Sequence, residues 1–234
     1  TTTVAALTAY GAGAGSHDQT LTEASALYAQ VIAVDANGNE TAYRSGPYYF
    51  DSAPTPDLIA DLAQVNWTGS GGKQVGQMIT SRGVQKLFAG WHSDSIRLRW
   101  QGLNLASDGD LYLYLGTGSG GTTTLFDPNG AGVSGMLPFT ANYLVRLSAT
   151  LTPTIYTTNG GAWTTQSSVN AVTNGSEIDV LLPFADLGMT NPAATPLRLL
   201  GVVSESDRLD VWATVPDQNL GRVWTQYIEF AALG

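Results

Sequence analysis

The chain has 234 residues, 43% of them hydrophobic and 12% charged, with 27 glycines and no cysteine; this is enough apolar material for a sizeable core, and it excludes a disordered chain, a disulfide framework and thiol chemistry. The formal net charge is −9 and the ten Lys and Arg are scattered, which argues against a nucleic-acid partner and against an anionic membrane surface, since both need a basic face. No apolar run reaches the ~18 residues needed to cross a bilayer, so no membrane insertion is expected.

Thr, Ser and Gly fill the space that charged residues leave. Few helix formers with many β-branched and turn residues favour an all-β protein. The chain begins at Thr1, so the expectation is a processed protein or a piece of a longer one, and the lack of cysteine in this composition suits an exported bacterial protein.

In chain order, "LYAQVIAVDANGNETAYRSGPYYFD" reads as a strand, a turn at "DANGN" and a returning strand. It resembles the end of a bacterial immunoglobulin-like or fibronectin type III domain. A complete sandwich of that kind needs about 100 residues, so residues 1–50 are expected to be a partial domain. Its missing strands would lie upstream in a precursor or come from another chain. "DSAPTPD", residues 51–57, reads as an extended linker, and residues 58–234 as one β domain.

In that domain "SIRLRWQG" alternates Ile96, Leu98 and Trp100 against Arg97 and Arg99, and "DLYLYLGT" alternates Leu111, Leu113 and Leu115 against Tyr112 and Tyr114. Further strands are expected at "NYLVRLSA", "TPTIYTT", "AWTTQSSV", "SEIDVLLPF", "LRLLGVVSES", "DRLDVWATV" and "VWTQYIEF". Asn159-Gly160-Gly161 is placed at a hairpin turn, and "PFADLGM" is the one expected helical turn, with Pro183 in its first position. About ten strands from one region point to a two-sheet antiparallel β-sandwich, jelly-roll-like in kind, preceded by the partial immunoglobulin-like domain.

Gly116-Thr117-Gly118-Ser119-Gly120-Gly121 has the look of a phosphate loop. A dinucleotide fingerprint needs a helix directly after the glycines, and a phosphate loop needs Lys-Ser/Thr. Thr122-Thr123-Thr124-Leu125-Phe126 is strand-like instead, so the glycines are read as a connection.

Other chemistry is sparse. His17 and His92 are the only histidines; His92 stands near Asp94, but no G-x-S-x-G context singles out a nucleophilic serine. Glu205, Asp207 and Asp210 could form a carboxylate pair for glycoside hydrolysis, although loop carboxylates are more often solvated. No cofactor is expected other than a structural Ca2+, for which Asp108, Asp110, Asp127 and Asn129 are the candidate oxygen ligands; Asp35 to Asn39 are better explained by a hairpin turn. Aromatic rings are the remaining resource, because sugars stack their C–H faces on them. Trp100 is read as core, and so is Trp224, in phase with Ile228 and Phe230. Trp212 is expected to face solvent beside Asp210, with Trp91, Trp163, Tyr112 and Tyr114 as companions.

"DGDLYLYLGT" and "SEIDVLLPFADLGM", with the closing "WTQYIEF", resemble carbohydrate-binding module family 9 and its DOMON-like relatives over about residues 60–234. The resemblance implies a β-sandwich that binds sugars in some members and haem in others. Gly116 stands where the family pattern has Asp, and no Met or His matches the haem-binding members, so haem is not expected. The resulting expectation is a non-catalytic, exported bacterial surface module for binding or adhesion, with glycans as partners. The rival expectation is a structural subunit of a surface layer or filament, partnered by neighbouring subunits through sheet edges or strand donation.

Overall fold

The computed structural model describes residues 24–50, 55–59, 72–118, 120–127, 136–205, 210–218, 220 and 224–231; for 24–31, 33, 40, 42–50, 55, 56 and 59 it gives the backbone alone. The chain divides into two compact units, Thr1–Ser52 and Ala53–Gly234. In the first, β1 (Ala24–Val34) and β2 (Glu40–Phe50) pair antiparallel. Asp35 builds the turn between them: its Oδ1 accepts from the N–H groups of Asn37 and Asn39, both at 2.8 Å, and its Oδ2 from Asn39 Nδ2 at 2.7 Å. This is the Asx-type turn chemistry that Asp and Asn favour, and it occupies the carboxylate locally.

The second unit opens with β3 (Thr55–Ile59), which adds parallel to the last strand of the chain. Thr55–Asp57, assigned above to a linker, are therefore part of a sheet. The strands that follow are β4 (Lys73–Thr80), β5 (Gly83–His92), β6 (Ser95–Gln101), β7 (Asp110–Gly116), β8 (Thr122–Thr124), β9 (Met136–Ala141), β10 (Tyr143–Leu147) and β11 (Thr154–Thr157). After them come β12 (Thr164–Ser168), β13 (Asn170–Asn174), β14 (Glu177–Pro183), β15 (Leu197–Ser204), β16 (Val211–Val215) and β17 (Gln226–Phe230). The hairpin at Asn159-Gly160-Gly161 forms, joining β11 to β12.

The unit is an all-β, two-sheet sandwich. One sheet runs β12-β11-β10-β7-β15-β17-β3 with β16 also on β15; the other runs β13-β14-β6-β5-β4. Every pairing in them is antiparallel except β17–β3. Between the sheets lies a core of Ile96, Leu98 and Trp100 from one side and Leu111, Leu113, Leu115, Leu199 and Ile228 from the other. The period-two alternation read in the sequence thus sets which side chains fill the interior.

The larger sheet is covered on both faces. Tyr112 and Tyr114, on the reverse of β7, are each 1% exposed and pack with Leu125, Phe139, Leu144, Trp224 and Tyr227 in a second core under the β8–β9 ribbon. Trp224 is buried as expected, but with Tyr227 in this second core rather than with Ile228 and Phe230 in the first.

One further expectation changes. The α-helical turn is α1 (Leu105–Asp108), not "PFADLGM". Asn104 caps α1, its Oδ1 accepting from Ala106 N–H, and Asp108 Oδ2 accepts in return from Asn104 N–H, a reciprocal cap that satisfies otherwise orphaned donors. Pro183 ends β14, and Phe184–Gly188 follow as successive tight turns closed by Asp186 N–H to Pro183 O and Leu187 N–H to Phe184 O. The glycine-rich segment is a connection: Thr117 N–H donates to Asn142 Oδ1, and Gly121 sits at φ +86° against the carbonyl of Ala141, where a side chain would collide. Strand β8, not a helix, follows it.

Candidate functional site

Three of the residues singled out in the sequence, Trp212, Asp108 and Glu205, come together beside the end of β15 and the start of β16. The pairing between these strands slips by one residue: Val203 faces Ala213 and Ser204 faces Val211. Such a bulge re-aims a side chain. It turns Trp212 toward the inter-sheet core, with Ala213 and Val215. The expectation of a solvent-facing Trp212 is therefore corrected: the ring is half-buried. Its Nε1–H donates to the backbone carbonyl of Asp108 at 2.9 Å.

The other wall comes from the turn between β4 and β5. Thr80 Oγ1 donates to Gly83 O at 2.8 Å and accepts from Arg82 N–H at 3.1 Å, which holds the base of Arg82. The Arg82 guanidinium lies 4.8 Å from the centre of the Trp212 ring and donates to Glu205 Oε1 at 2.8 Å. Arg82 and Glu205 are 39% and 45% exposed, so their pair stabilises the fold by less than about 1 kcal/mol and is free to exchange partners. Arg82, Ser107, Asp108, Gly109 and Glu205 line an open cleft of about 280 Å³. Glu205 N–H approaches Asp210 O at 3.4 Å, and Asp210 is exposed. Asp207 lies outside the described residues.

The cleft offers one guanidinium and two carboxylates, and the Trp212 ring lies next to the guanidinium. Asp108 is tied to Asn104 N–H and Ser107 Oγ, and Glu205 to Arg82. These are hydrogen-bonding groups already held in orientation, the kind that fixes a polar ligand against an aromatic wall. Arg82 had not been singled out, because its partner Glu205 lies 123 positions away; the turn chemistry of "TSRG" is the only local trace of it.

The other aromatic candidates lie elsewhere. Trp91 is half-buried against the inter-sheet core. Trp163 is half-buried on the opposite face of the larger sheet, where its Nε1–H donates to Thr124 O at 3.2 Å and Tyr114 meets its ring edge-on at 6.0 Å. No ring contact among the described residues joins Trp212, Trp91 and Trp163. Tyr112 and Tyr114 are corrected outright: both are buried and offer no face to a ligand.

The calcium candidates that are described have other engagements. Asp110 is fully buried, and its Oδ2 accepts from Arg146 Nε at 3.1 Å and Nη2 at 2.7 Å; the guanidinium neutralises it, so it is not a cation ligand. Asp108 serves the α1 cap, Asp127 is half-buried and engaged, and Asn129 lies outside the described residues. Among the described residues no group of three His, Asp or Glu gathers. His92 is the exposed last residue of β5, with Nδ1 3.2 Å from Ser93 Oγ and 3.8 Å from Asp94 Oδ1; His17 lies outside the described residues.

Around Asp110 the electrostatics have a measurable consequence. Burial pushes the Tyr112 phenol up to about 12, with Arg146 pulling the other way, and burial raises Tyr114 further. A folded-state value above the ordinary one means that the stability is fully present below pH 10 and is lost as pH rises through about 12. The gap corresponds to roughly 3 kcal/mol. Unfolding should therefore steepen between pH 10 and 12, together with tyrosinate absorbance. Tyr112→Phe should flatten that slope, and an unchanged slope would remove Tyr112 from the account.

No protein-family model matches the chain, and neither does any curated protein. Among the described residues no helix is long and apolar enough to cross a membrane.

Proposed function

We propose that this is a non-catalytic, exported bacterial surface module that binds glycans, akin to carbohydrate-binding module family 9, with the Trp212 cleft as its site. The observation that carries the reading is the open cleft lined by Arg82, Asp108 and Glu205, with the Trp212 ring against Arg82 and hydrogen-bonded to the Asp108 carbonyl beside it. Its volume of about 280 Å³ lies just below the ~300–1,000 Å³ of ligand sites, which suits a single sugar ring at a chain end better than a polymer buried along its length. Glu205 and Asp108 accept from sugar hydroxyls, and Arg82 donates to one. The exposed Arg82 side chain swings aside at little cost, since its surface pair contributes so little.

Glycan arrays and affinity gels test this. The wild-type chain should be retained by at least one glycan class, and Glu205→Gln and Arg82→Ala, both at exposed positions, should each weaken binding about tenfold without changing the unfolding temperature. Trp212→Ala should abolish binding. No retained glycan, or binding indifferent to both surface variants, would refute the assignment.

A further inference from the structure

The ends of the two large sheets differ in how they are protected. An edge strand exposes unpaired N–H and C=O groups, and proteins blunt such edges with charge, proline, bulges or cover. Among the described residues, β3 carries Pro56 and Asp57, β4 carries Lys73 and a bulge between Gln74 and Gly76, and β12 meets β11 across a bulge. The half-length strand β16 gives its Thr214 N–H to Met78 Sδ. Strand β13 has none of these devices. Its sequence, Asn170-Ala171-Val172-Thr173-Asn174, holds no charge, no proline and no glycine, and its ladder with β14 is regular.

The same strand reads nearly alike in both directions. An antiparallel pairing of two copies about Val172 sets Val172 opposite Val172, Ala171 opposite Thr173 and Asn170 opposite Asn174. Val172 is 62% exposed, and Leu181, 38% exposed, is its diagonal neighbour on β14. Two carboxylates flank this face: Asp179 is held by Arg99 at 2.9 Å, and Glu177, opposite Asn174, accepts from Gln101 Nε2 at 2.8 Å, so in a chain of net charge −9 the acidic groups beside this edge are engaged within their own sheet.

We propose that β13 is a self-association edge: two copies pair antiparallel through β13 about a two-fold axis at Val172, joining their five-stranded sheets into one. Amide side chains of Asn170 and Asn174 pair across the seam, and Val172 and Leu181 of both copies form a small apolar patch over it. Five residues of edge bury less than the ~1,200 Å² of a stable interface, so the dimer is weak, with a dissociation constant on the order of 0.1–1 mM.

Sedimentation velocity of the full chain from about 10 µM to about 1 mM should show a coefficient that climbs with concentration. Val172→Lys sets like charges opposite each other across the seam and should raise the dimerisation midpoint about fivefold or more, with unchanged thermal unfolding because the side chain is exposed. Val172→Cys, the sole thiol in the chain, should cross-link to dimer with a short bis-maleimide, whereas Val84→Cys, also exposed, should not. A wild-type chain that stays monomeric throughout, Val172→Lys associating like wild type, or equal cross-linking at 84 and 172 each overturns the proposal.

Discussion

Arg146→Met is expected to destabilise the second unit by about 3–5 kcal/mol, read from chemical denaturation. Asp110 is fully buried, and its Oδ2 takes two hydrogen bonds from Arg146; its Oδ1 has no partner among the described residues. Without the guanidinium the carboxylate keeps only Tyr112 OH, at 3.3 Å, and an uncompensated buried charge is among the costliest single defects. The methionine also loses the planar cation that sits 5.7 Å from the Tyr112 ring and 5.9 Å from Phe126. Arg82→Ala is the contrast, because it breaks an equally short ion pair in solvent and should change stability by less than about 1 kcal/mol. Arg146→Met with Asp110→Asn should recover part of the loss, since the charge that needed compensation is gone. A single variant within about 1 kcal/mol of wild type would show that the pair is hydrated and of little consequence.

The second large effect sits in the inter-sheet core. Gly201, mid-strand in β15, lies against the Trp100 ring that projects from β6 on the opposite sheet. A methyl at Gly201 would collide with Trp100 Cζ3 and lie 3.2 Å from Cη2. The indole has no room to retreat: its Nε1–H donates to Gln85 Oε1 at 2.8 Å, and the fully buried Gln85 donates in turn to Gly102 O at 2.7 Å. Gly201→Ala should therefore cost about 1–3 kcal/mol as overpacking, and Trp100→Ala about 3–5 kcal/mol as a cavity that also strands Gln85 Oε1. The two sites touch, so their effects should not add. Trp100→Phe combined with Gly201→Ala should be less damaging than the sum of the singles by about 1 kcal/mol or more. Strict additivity would mean that the ring relaxes without strain and that the close approach is not what selects glycine.

Both effects depend on features of unequal legibility. The inward phase of Ile96, Leu98 and Trp100 was readable from alternation alone, and the hairpin at Asn159-Gly160-Gly161 from its turn residues. Strands β4 and β5 were not: their inward Leu87 and Ala89 alternate with Lys86, Phe88 and Gly90, a pattern too mixed to signal a strand. The helical turn was assigned to "PFADLGM" because proline favours a helix start, but Pro183 is held at the end of β14 by its pairing with Ser95. For the cleft, Trp212, Asp108 and Glu205 were each visible as residue types, whereas Arg82 and the orientation of Trp212 were not.

The sequence by itself determined the class of the protein: an all-β chain without thiols, its interior filled by every second side chain of its strands, its turns set by Gly, Asn and Asp. Those properties are local, because the pleat repeats every two residues and turn geometry belongs to a few neighbouring dihedrals. Only the tertiary structure decided that Tyr112 and Tyr114 are roofed by a further ribbon, that Asp110 is paired with Arg146, and that a slipped pairing swings Trp212 onto Asp108 beneath Arg82. Each depends on contacts between residues far apart in the chain, and a bulge shifts side chains from one face to the other without any change in the residues that flank it.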